Sequence, residues 1–173
     1  MLKVLPASTK DIDKLMECLI DVWKSLNEYL PSLAVNSELE ELLKPEARER
    51  LRQQMEDKSM IFLVAYENEE VVGIAQGRVH TGVALLGFLG VRKEYRGRKV
   101  GESLLERFIE EARSRGAQKV WLYTSTRLLP AIRLYIKKGF VPEGFLRKHF
   151  HGLDLIIYSK FLSEKFDNKN GCL

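Results

Sequence analysis

The sequence predicts a single α/β domain with a mixed, mostly antiparallel sheet, a central parallel β-α-β crossover and flanking helices. In the second half of the chain, a long amphipathic helical pattern lies between two apolar strands, and such a connection joins parallel strands in a right-handed crossover. Elsewhere, short apolar runs are joined by polar turns, as in antiparallel hairpins. The 173 residues fit one domain, which we expect over residues 1–163, followed by a polar tail over residues 164–173.

The first third of the chain has the pattern of one strand followed by helices. Leu2–Leu5 is a short apolar run that predicts a strand. Apolar residues then recur at three- and four-residue steps from Ile12 to Leu30, which is typical of an amphipathic helix, and Pro31 ends this pattern. Ser37 can cap a second helix, and Pro45 permits a third helix to begin.

The middle of the chain predicts strands. Ile61–Tyr66 and Val71–Ala75 are apolar runs on either side of the polar turn Glu67–Glu70, which is the pattern of a hairpin. A second turn at Thr81–Gly82 leads into a further apolar strand, Val83–Val91. We therefore expect three consecutive antiparallel strands here.

The second half of the chain alternates between helix and strand, and glycines stop both helices. The predicted elements are a helix over Val100–Arg115 that is stopped by Gly116, a strand over Lys119–Tyr123, a helix over Pro130–Lys138 that is stopped by Gly139, and closing strands at Phe140–Val141 and Asp154–Ser159.

Composition limits the classes of function. The formal net charge of +4 is too small to indicate a nucleic-acid partner, and we do not expect one. The sequence has no apolar run long enough to predict a membrane span. Met1–Pro6 lacks the apolar stretch and cleavage site of a secretory signal, which predicts a cytoplasmic protein. Cys18 and Cys172 do not form the pattern of a disulfide framework.

A basic, glycine-containing turn connects the predicted strand Val83–Val91 to the helix that follows it. The first N–H groups of a helix lack internal partners and carry partial positive charge, so this geometry suits a phosphate group. The two glycines allow close backbone approach, and the two arginines can add charge-assisted hydrogen bonds. The alternative is a junction whose glycines only make the turn. The residues concerned are Arg96, Gly97, Arg98, Lys99, Val100, Gly101 and Glu102.

This turn resembles the pyrophosphate-binding turn of the GNAT superfamily of acetyl-CoA-dependent N-acetyltransferases, whose pattern is Gln/Arg-x-x-Gly-x-Gly/Ala. Arg96 and Gly101 match the pattern, whereas Lys99 stands at its central glycine. A second block, Ala131–Phe140, is similar to the family segment Ala-x-x-Leu-Tyr…Gly-Phe and follows in the same order. The resemblance extends over residues 60–160 and implies a single-domain GNAT-like fold.

The resemblance also implies roles for individual residues. Acetyl-CoA would be the cosubstrate, no metal would be needed, and residues 96–102 would hold the pyrophosphate. The backbone at Leu89 and Val91 would bond the acetyl carbonyl and the pantetheine arm. Tyr135 would lie near the cofactor sulfur and protonate the departing thiolate. The alternative for Tyr135 is a ring that only packs in the core.

A general base is harder to assign from the sequence. Attack on a thioester needs a neutral amine, so a side chain or water must remove its proton. The strand before the turn contains no acidic residue, which leaves His80, His149, Asp154 or water as candidates. The expected acceptor is an amine on a small molecule or a peptide. Assembly as a homodimer stays open.

Three other functions remain open alongside a small-amine acetyltransferase. The missing carboxylate favours a catalytically silent, CoA-binding regulatory module, and the basic turn would suit a nucleic-acid-binding domain. Residues 147–154 resemble the closing strands of bacterial ribosomal-protein N-terminal acetyltransferases, which points to a protein N-terminal acetyltransferase. However, Tyr123 stands where those enzymes carry a catalytic glutamate, and Leu128 replaces a common asparagine.

Overall fold

The computed structural model describes residues 1–162, and the tail expected over residues 164–173 lies outside them. The strands are β1 (Lys3–Pro6), β2 (Met60–Glu67), β3 (Glu70–His80), β4 (Val83–Val91), β5 (Lys119–Ser125), β6 (Val141–Phe150) and β7 (Leu153–Phe161). The helices are α1 (Ile12–Ser25), α2 (Ser32–Leu43), α3 (Ala47–Glu56), α4 (Val100–Ser114) and α5 (Leu129–Lys137). No helix in this part of the chain is both long and apolar enough to cross a membrane.

All seven strands belong to one sheet, in the order β1-β2-β3-β4-β5-β7-β6. The β4–β5 pair is parallel and is connected by α4, and every other neighbouring pair is antiparallel. The predicted mixed sheet with a central β-α-β crossover is therefore confirmed.

The two parallel strands are paired over a short stretch only. Val83–Leu85 of β4 pairs with Lys119–Trp121 of β5, and within the described chain the pairing stops there. Both strands continue for several residues beyond that point. The second half of β4 therefore keeps its β3 neighbour on one side and has an open edge on the other.

A β-bulge in β4 lies where the two strands separate. Gln76 of β3 is opposite Phe88, whereas the next residue, Gly77, is opposite Leu86, so Gly87 is the extra residue. A Cβ at Gly77 would lie 2.0 Å from the Leu85 carbonyl oxygen, so only glycine fits this close approach. The bulge changes the direction of β4 as it leaves β5.

Helices cover both faces of the sheet. On one face, α4 contributes Leu104, Leu105 and Phe108 to a core that also contains residues of β2 to β5 and of α5. On the other face, α1 and α3 pack against Phe62 and Val64 of β2 and against Val71 and Ile74 of β3. A smaller cluster joins α2 to the start of β7 through Val35 and Leu153.

Several boundaries differ from the sequence prediction, including the end of β3, which was predicted at Ala75 and lies at His80. The first helix ends at Ser25 and continues only as a 3₁₀ turn at Leu26–Glu28, so the prediction that it reaches Leu30 was wrong. The second helix begins at Ser32 rather than after Ser37, because Pro31 adopts the position just before the first turn, where its missing N–H is not needed. The strand β6 extends to Phe150, well beyond the predicted Phe140–Val141. The sequence prediction was too short because most side chains of β6 are exposed and its sequence lacks an apolar pattern.

Candidate active site

Two cavities meet at the open edge of β4. The turn-side cavity, of about 570 Å³, is lined by the end of β4, the β4–α4 turn, the first turn of α4 and one side of α5. The helix-side cavity, of about 450 Å³, is lined by α1, α2, α3, the centre of β4 and the end of β5. The two cavities share a wall made of Leu26, Phe88, Leu89, Leu128, Ala131 and Tyr135.

The β4–α4 turn presents a continuous row of backbone amides without partners. Among the described residues, the N–H groups of residues 97–102 donate no hydrogen bond, and Ser103 is the first to bond back, to the Lys99 carbonyl oxygen at 2.9 Å. Gly97 has a φ of +76°, which the turn requires and which glycine adopts without strain. Free amides at the positive end of a helix form a binding site for an anion such as a phosphate.

Lys99, which replaces the central glycine of the family pattern, has the backbone conformation of a glycine. Its φ of +65° and ψ of +9° lie in the left-handed region, which other residues adopt at a cost of about 1–2 kcal/mol. Its side chain is exposed, lines the turn-side cavity and forms no ion pair within residues 1–162. The lysine therefore preserves the path of the turn and adds a cation to it.

The two arginines of the turn have protein partners. Arg96 Nε donates to the Val91 carbonyl oxygen at 3.1 Å, and its Nη2 donates to Ser25 Oγ. Arg96 thus joins the end of β4 to the end of α1. The Arg98 guanidinium pairs with the Glu67 carboxylate at 3.4 Å and lies outside both cavities. Within this turn, the groups left without a partner in the described chain are therefore backbone amides rather than arginine side chains.

Other charged side chains surround the turn-side cavity. Arg133 of α5 lines it and forms no ion pair in the described chain. Glu102, in the first turn of α4, accepts hydrogen bonds from Lys137 and Lys138 of α5. These hydrogen bonds lower the pKa of Glu102 to about 2, because they favour its charged form. The ion pairs connect the two helices that border the cavity.

The backbone of β4 also has free groups at the cavity. The Arg92 N–H donates to the Val72 carbonyl oxygen of β3 at 2.9 Å. Because neighbouring residues of an antiparallel strand direct their polar groups to opposite edges, Leu89 and Val91 direct theirs to the open edge. The Val91 carbonyl oxygen already accepts from Arg96, whereas the N–H of Val91 and both polar groups of Leu89 have no partner in the described chain.

Tyr135 lies in the wall between the two cavities. Its side chain is only 6% exposed, and its ring packs against Phe140 and Tyr158, with centroid distances of 5.9 and 6.3 Å. Its hydroxyl forms no hydrogen bond within residues 1–162. Burial raises the pKa of Tyr135 above its ordinary value, so the hydroxyl keeps its proton. The ring is a core residue, and its hydroxyl is free to act as a donor in the site.

Two polar residues of the helix-side cavity were not found from the sequence. Glu38 of α2 is half-buried and forms no hydrogen bond or ion pair in the described chain, and burial raises its pKa. Gln76 of β3 lines the same cavity, and its Oε1 is buried without a partner. The sequence did contain a signal for Glu38. Ala34, Glu38 and Leu42 are spaced by four residues and share one face of a helix, so an acidic residue interrupts an apolar stripe.

The candidate bases named from the sequence lie outside the two cavities. His80, at the end of β3, and His149, in β6, are exposed and line neither cavity. Asp154 Oδ1 accepts from the Lys148 N–H at 2.8 Å and also lies away from them. Nowhere in residues 1–162 do three or more His, Cys, Asp or Glu residues form a group that could hold a metal ion.

Known proteins similar to this chain include several acetyltransferases. Residues 20–140 match the family model described as Acetyltransferase (GNAT) family. The chain is 33% identical over 85 residues to mycothiol acetyltransferase of Corynebacterium glutamicum, a match that covers 49% of this chain and 28% of that protein. It is 31% identical over 101 residues to N-alpha-acetyltransferase 30 of Schizosaccharomyces pombe, covering 55% of this chain and 67% of that protein.

Structural similarity extends over nearly the whole chain. The crystal structure of PaiA N-acetyltransferase from Thermoplasma acidophilum in complex with coenzyme A has a TM-score of 0.78 and 19% identity, covering 93% of this chain and 99% of that one. In contrast, the chain spans between 28% and 33% of the length of several curated relatives that it matches. The sequence matches to these longer relatives therefore cover only one part of them. The similarity to the PaiA structure shows the fold of the chain.

Proposed function

The chain belongs to the acetyltransferase (GNAT) family, and from that premise we propose that it transfers an acetyl group from acetyl-CoA to a primary amine. The observation that carries the proposal is the row of unpaired amides at residues 97–102, which lines a cavity beside the open edge of β4. A pyrophosphate would accept hydrogen bonds from these amides at the positive end of α4. Lys99 and Arg133 would add positive charge at the same cavity.

The proposed roles divide between direct binding and positioning. Gly97, Val100, Gly101 and the other residues of the turn would bind the pyrophosphate through their N–H groups. Arg96 would act as a positioning residue, because its guanidinium holds the Val91 carbonyl oxygen and the end of α1. Arg98 would steady the turn through Glu67. A cytoplasmic location remains an expectation from the sequence, and assembly as a homodimer stays open.

The reacting groups would meet at the shared wall of the two cavities. Bound acetyl-CoA supplies a thioester whose carbonyl carbon bonds to the amine nitrogen while the carbon–sulfur bond breaks. The free N–H of Leu89 would donate to the thioester oxygen, where negative charge develops. The Tyr135 hydroxyl would give its proton to the departing sulfur and regain one from solvent. The proton lost by the amine would pass to a base or to water.

The silent-module alternative retains one observation in its favour. The strands that line the site carry no carboxylate at the shared wall, and the candidate bases His80, His149 and Asp154 lie outside both cavities. An acid–base group contributes typically about 10²–10⁴-fold to a rate, so an enzyme without one still turns over, but slowly. A sensitive turnover assay therefore separates the two functions.

The proposal is tested by incubating the protein with acetyl-CoA and a panel of amines, polyamines, aminoglycosides and peptides with free N-termini. The readouts are free CoA thiol and the mass of the acetylated product. Thiol release that requires both the protein and one class of amine is the expected result. Tight binding of acetyl-CoA without turnover of any amine would favour the silent module. Failure to bind acetyl-CoA would refute both functions.

A further inference from the structure

We propose that the helix-side cavity binds an acceptor with one ammonium group on an apolar body, and that the Glu38 carboxylate holds this ammonium. The inference rests on the proposed function, and it names the substrate class of the same site. It commits to arylalkyl- or alkylamines rather than to polyamines or peptide N-termini. Three features of the cavity support it: its walls, its charge balance and its connection to the turn-side cavity.

The walls of the helix-side cavity are mostly apolar. They come from several helices and strands that the core holds in place, so the cavity is a preformed pocket between α1, α2, α3 and the sheet. Its volume of about 450 Å³ is within the range of sites that enclose small molecules. The apolar side chains that define its shape include Leu19, Trp23, Leu30, Leu42, Phe88 and Phe150.

The charge balance of the cavity leaves one carboxylate free. Three charged residues line it: Glu38, Glu41 and Arg50. Glu41 is neutralised, because Lys44 and Arg50 both pair with its carboxylate. Arg50 is fixed further by a 2.8 Å hydrogen bond to the Glu41 carbonyl oxygen. Glu38 has no hydrogen bond or ion pair among the described residues, and the electrostatic attraction of His151 only partly offsets the effect of its burial. An incoming ammonium would therefore find a carboxylate that no direct contact neutralises.

Glu38 is held on a rigid support. One turn before it on α2, Ala34 and Val35 are fully buried against Leu153. A half-buried carboxylate without a partner lacks part of its hydration, which is the reason that burial raises its pKa. A cation that binds beside it would restore the interaction that water no longer provides, so Glu38 favours a charged ligand over a neutral one.

The distribution of polar groups selects against longer charged or polar acceptors. A polyamine would place further ammonium groups along apolar walls, where the described chain offers no second free carboxylate. A peptide would bring several backbone amides, for which the lining supplies few polar side chains, chiefly Gln76, Gln54, Thr124 and Ser125. Glu38 and the shared wall at Leu89 and Tyr135 line the same cavity. The bound ammonium would lose a proton to the Glu38 carboxylate or to water, and the neutral nitrogen would then attack the thioester at that wall.

The test compares Glu38→Gln with Glu40→Gln, which lies on the same helix but is exposed and lines neither cavity. The probe is 2-phenylethylamine, and its binding in the presence of CoA is measured by calorimetry, so the readout does not depend on turnover. Losing one charge-assisted hydrogen bond should weaken binding about ten- to a hundred-fold in Glu38→Gln. Glu40→Gln should bind as the parent does, and both variants should bind acetyl-CoA normally. Glu38→Asp, which keeps the charge, should recover part of the affinity.

Several results would overturn the inference. These are equal 2-phenylethylamine affinity in Glu38→Gln and Glu40→Gln, no binding of 2-phenylethylamine to the parent protein, or tighter binding of spermidine or of an alanine-initiated peptide. Each of them leaves the proposed function intact if acetyl-CoA binds and any amine is turned over. Loss of acetyl-CoA binding in the parent protein, in contrast, would refute the proposed function itself. Melting temperatures of all variants confirm that they fold.

Discussion

At the scale of one residue, Tyr135 combines a ring that packs in the core with a position in the wall of two cavities. Its ring is fixed by Phe140 and Tyr158, while its hydroxyl has no hydrogen-bond partner in the described chain. A phenol that only stabilised the core would be expected to bond its hydroxyl within the protein. The free hydroxyl at the junction of two cavities therefore favours a role in the reaction.

We expect Tyr135→Phe to lower kcat by at least about tenfold, since general-acid assistance typically contributes about 10²–10⁴-fold. Its melting temperature and its affinity for acetyl-CoA should stay close to those of the parent, because the substitution removes no internal hydrogen bond and keeps the ring. The matched control is Tyr158→Phe, since Tyr158 is buried beside Tyr135 but lines neither cavity. Unchanged turnover in Tyr135→Phe would remove Tyr135 from the site.

Lys99 provides a second prediction at this scale. Lys99→Gly should raise the melting temperature slightly, because glycine removes a left-handed strain of about 1–2 kcal/mol and gives back only about 0.5–1 kcal/mol in chain entropy. Acetyl-CoA affinity should become less sensitive to salt, because one cation at the turn-side cavity is lost. The control is Lys24→Gly, in the last turn of α1, which should lower stability by up to about 1 kcal/mol. A lower melting temperature in Lys99→Gly would contradict this prediction, because it would show that the Lys99 side chain stabilises the turn by more than its backbone strain costs.

At the scale of elements, the pairing of α4 with α5 holds the two sides of the turn-side cavity together. Glu102 accepts hydrogen bonds from Lys137 and Lys138, and Lys138 also pairs with Glu106. These contacts join the start of α4 to the end of α5. We expect them to stabilise the protein above the ordinary pKa of a glutamate and to weaken in acid.

The pH dependence of stability tests this helix pairing. The pKa of Glu102 falls from 4.5 to about 2 on folding, so its contribution is complete above pH 4.5 and disappears as the pH falls through 2. The difference in melting temperature between the parent and Glu102→Gln should therefore be largest above pH 5 and close to zero near pH 2. In a Lys138→Met background the same substitution should have a smaller effect, because one partner is already absent. A difference that does not change with pH would contradict the pairing.

The sequence predicted some elements closely and others poorly. β4 and the start of α4 were predicted at their observed bounds, because an apolar run followed by a glycine-containing basic turn is a strong local signal. The strand β6 was almost missed, since it is an edge strand with mostly exposed side chains. The Arg96–Ser25 contact joins residues 71 positions apart, and no local pattern could reveal it.

At the scale of the whole molecule, both cavities follow from one feature of the sheet. β4 and β5 pair over three positions and then separate at the Gly87 bulge. Among the described residues, this leaves both polar groups of Leu89 and the N–H of Val91 without a partner. The turn after β4 then directs unpaired amides to the same opening. The sequence indicated the turn and Tyr135 as candidate site residues, and these stay predictions. It could not predict the cavity beside α2, because the acidic residue in the apolar stripe of α2 reaches that cavity only through the packing of α2 on the start of β7.

Amide hydrogen exchange can test whether the unpaired amides of residues 97–102 bind the pyrophosphate of acetyl-CoA. In the free protein these amides should exchange quickly, because they have no hydrogen-bond partner in the described chain. Saturation with CoA should slow their exchange strongly, together with that of Leu89 and Val91, and leave exposed amides of β6 unchanged. If CoA binds and these amides still exchange as fast as before, the pyrophosphate is held elsewhere and the account of the site is wrong.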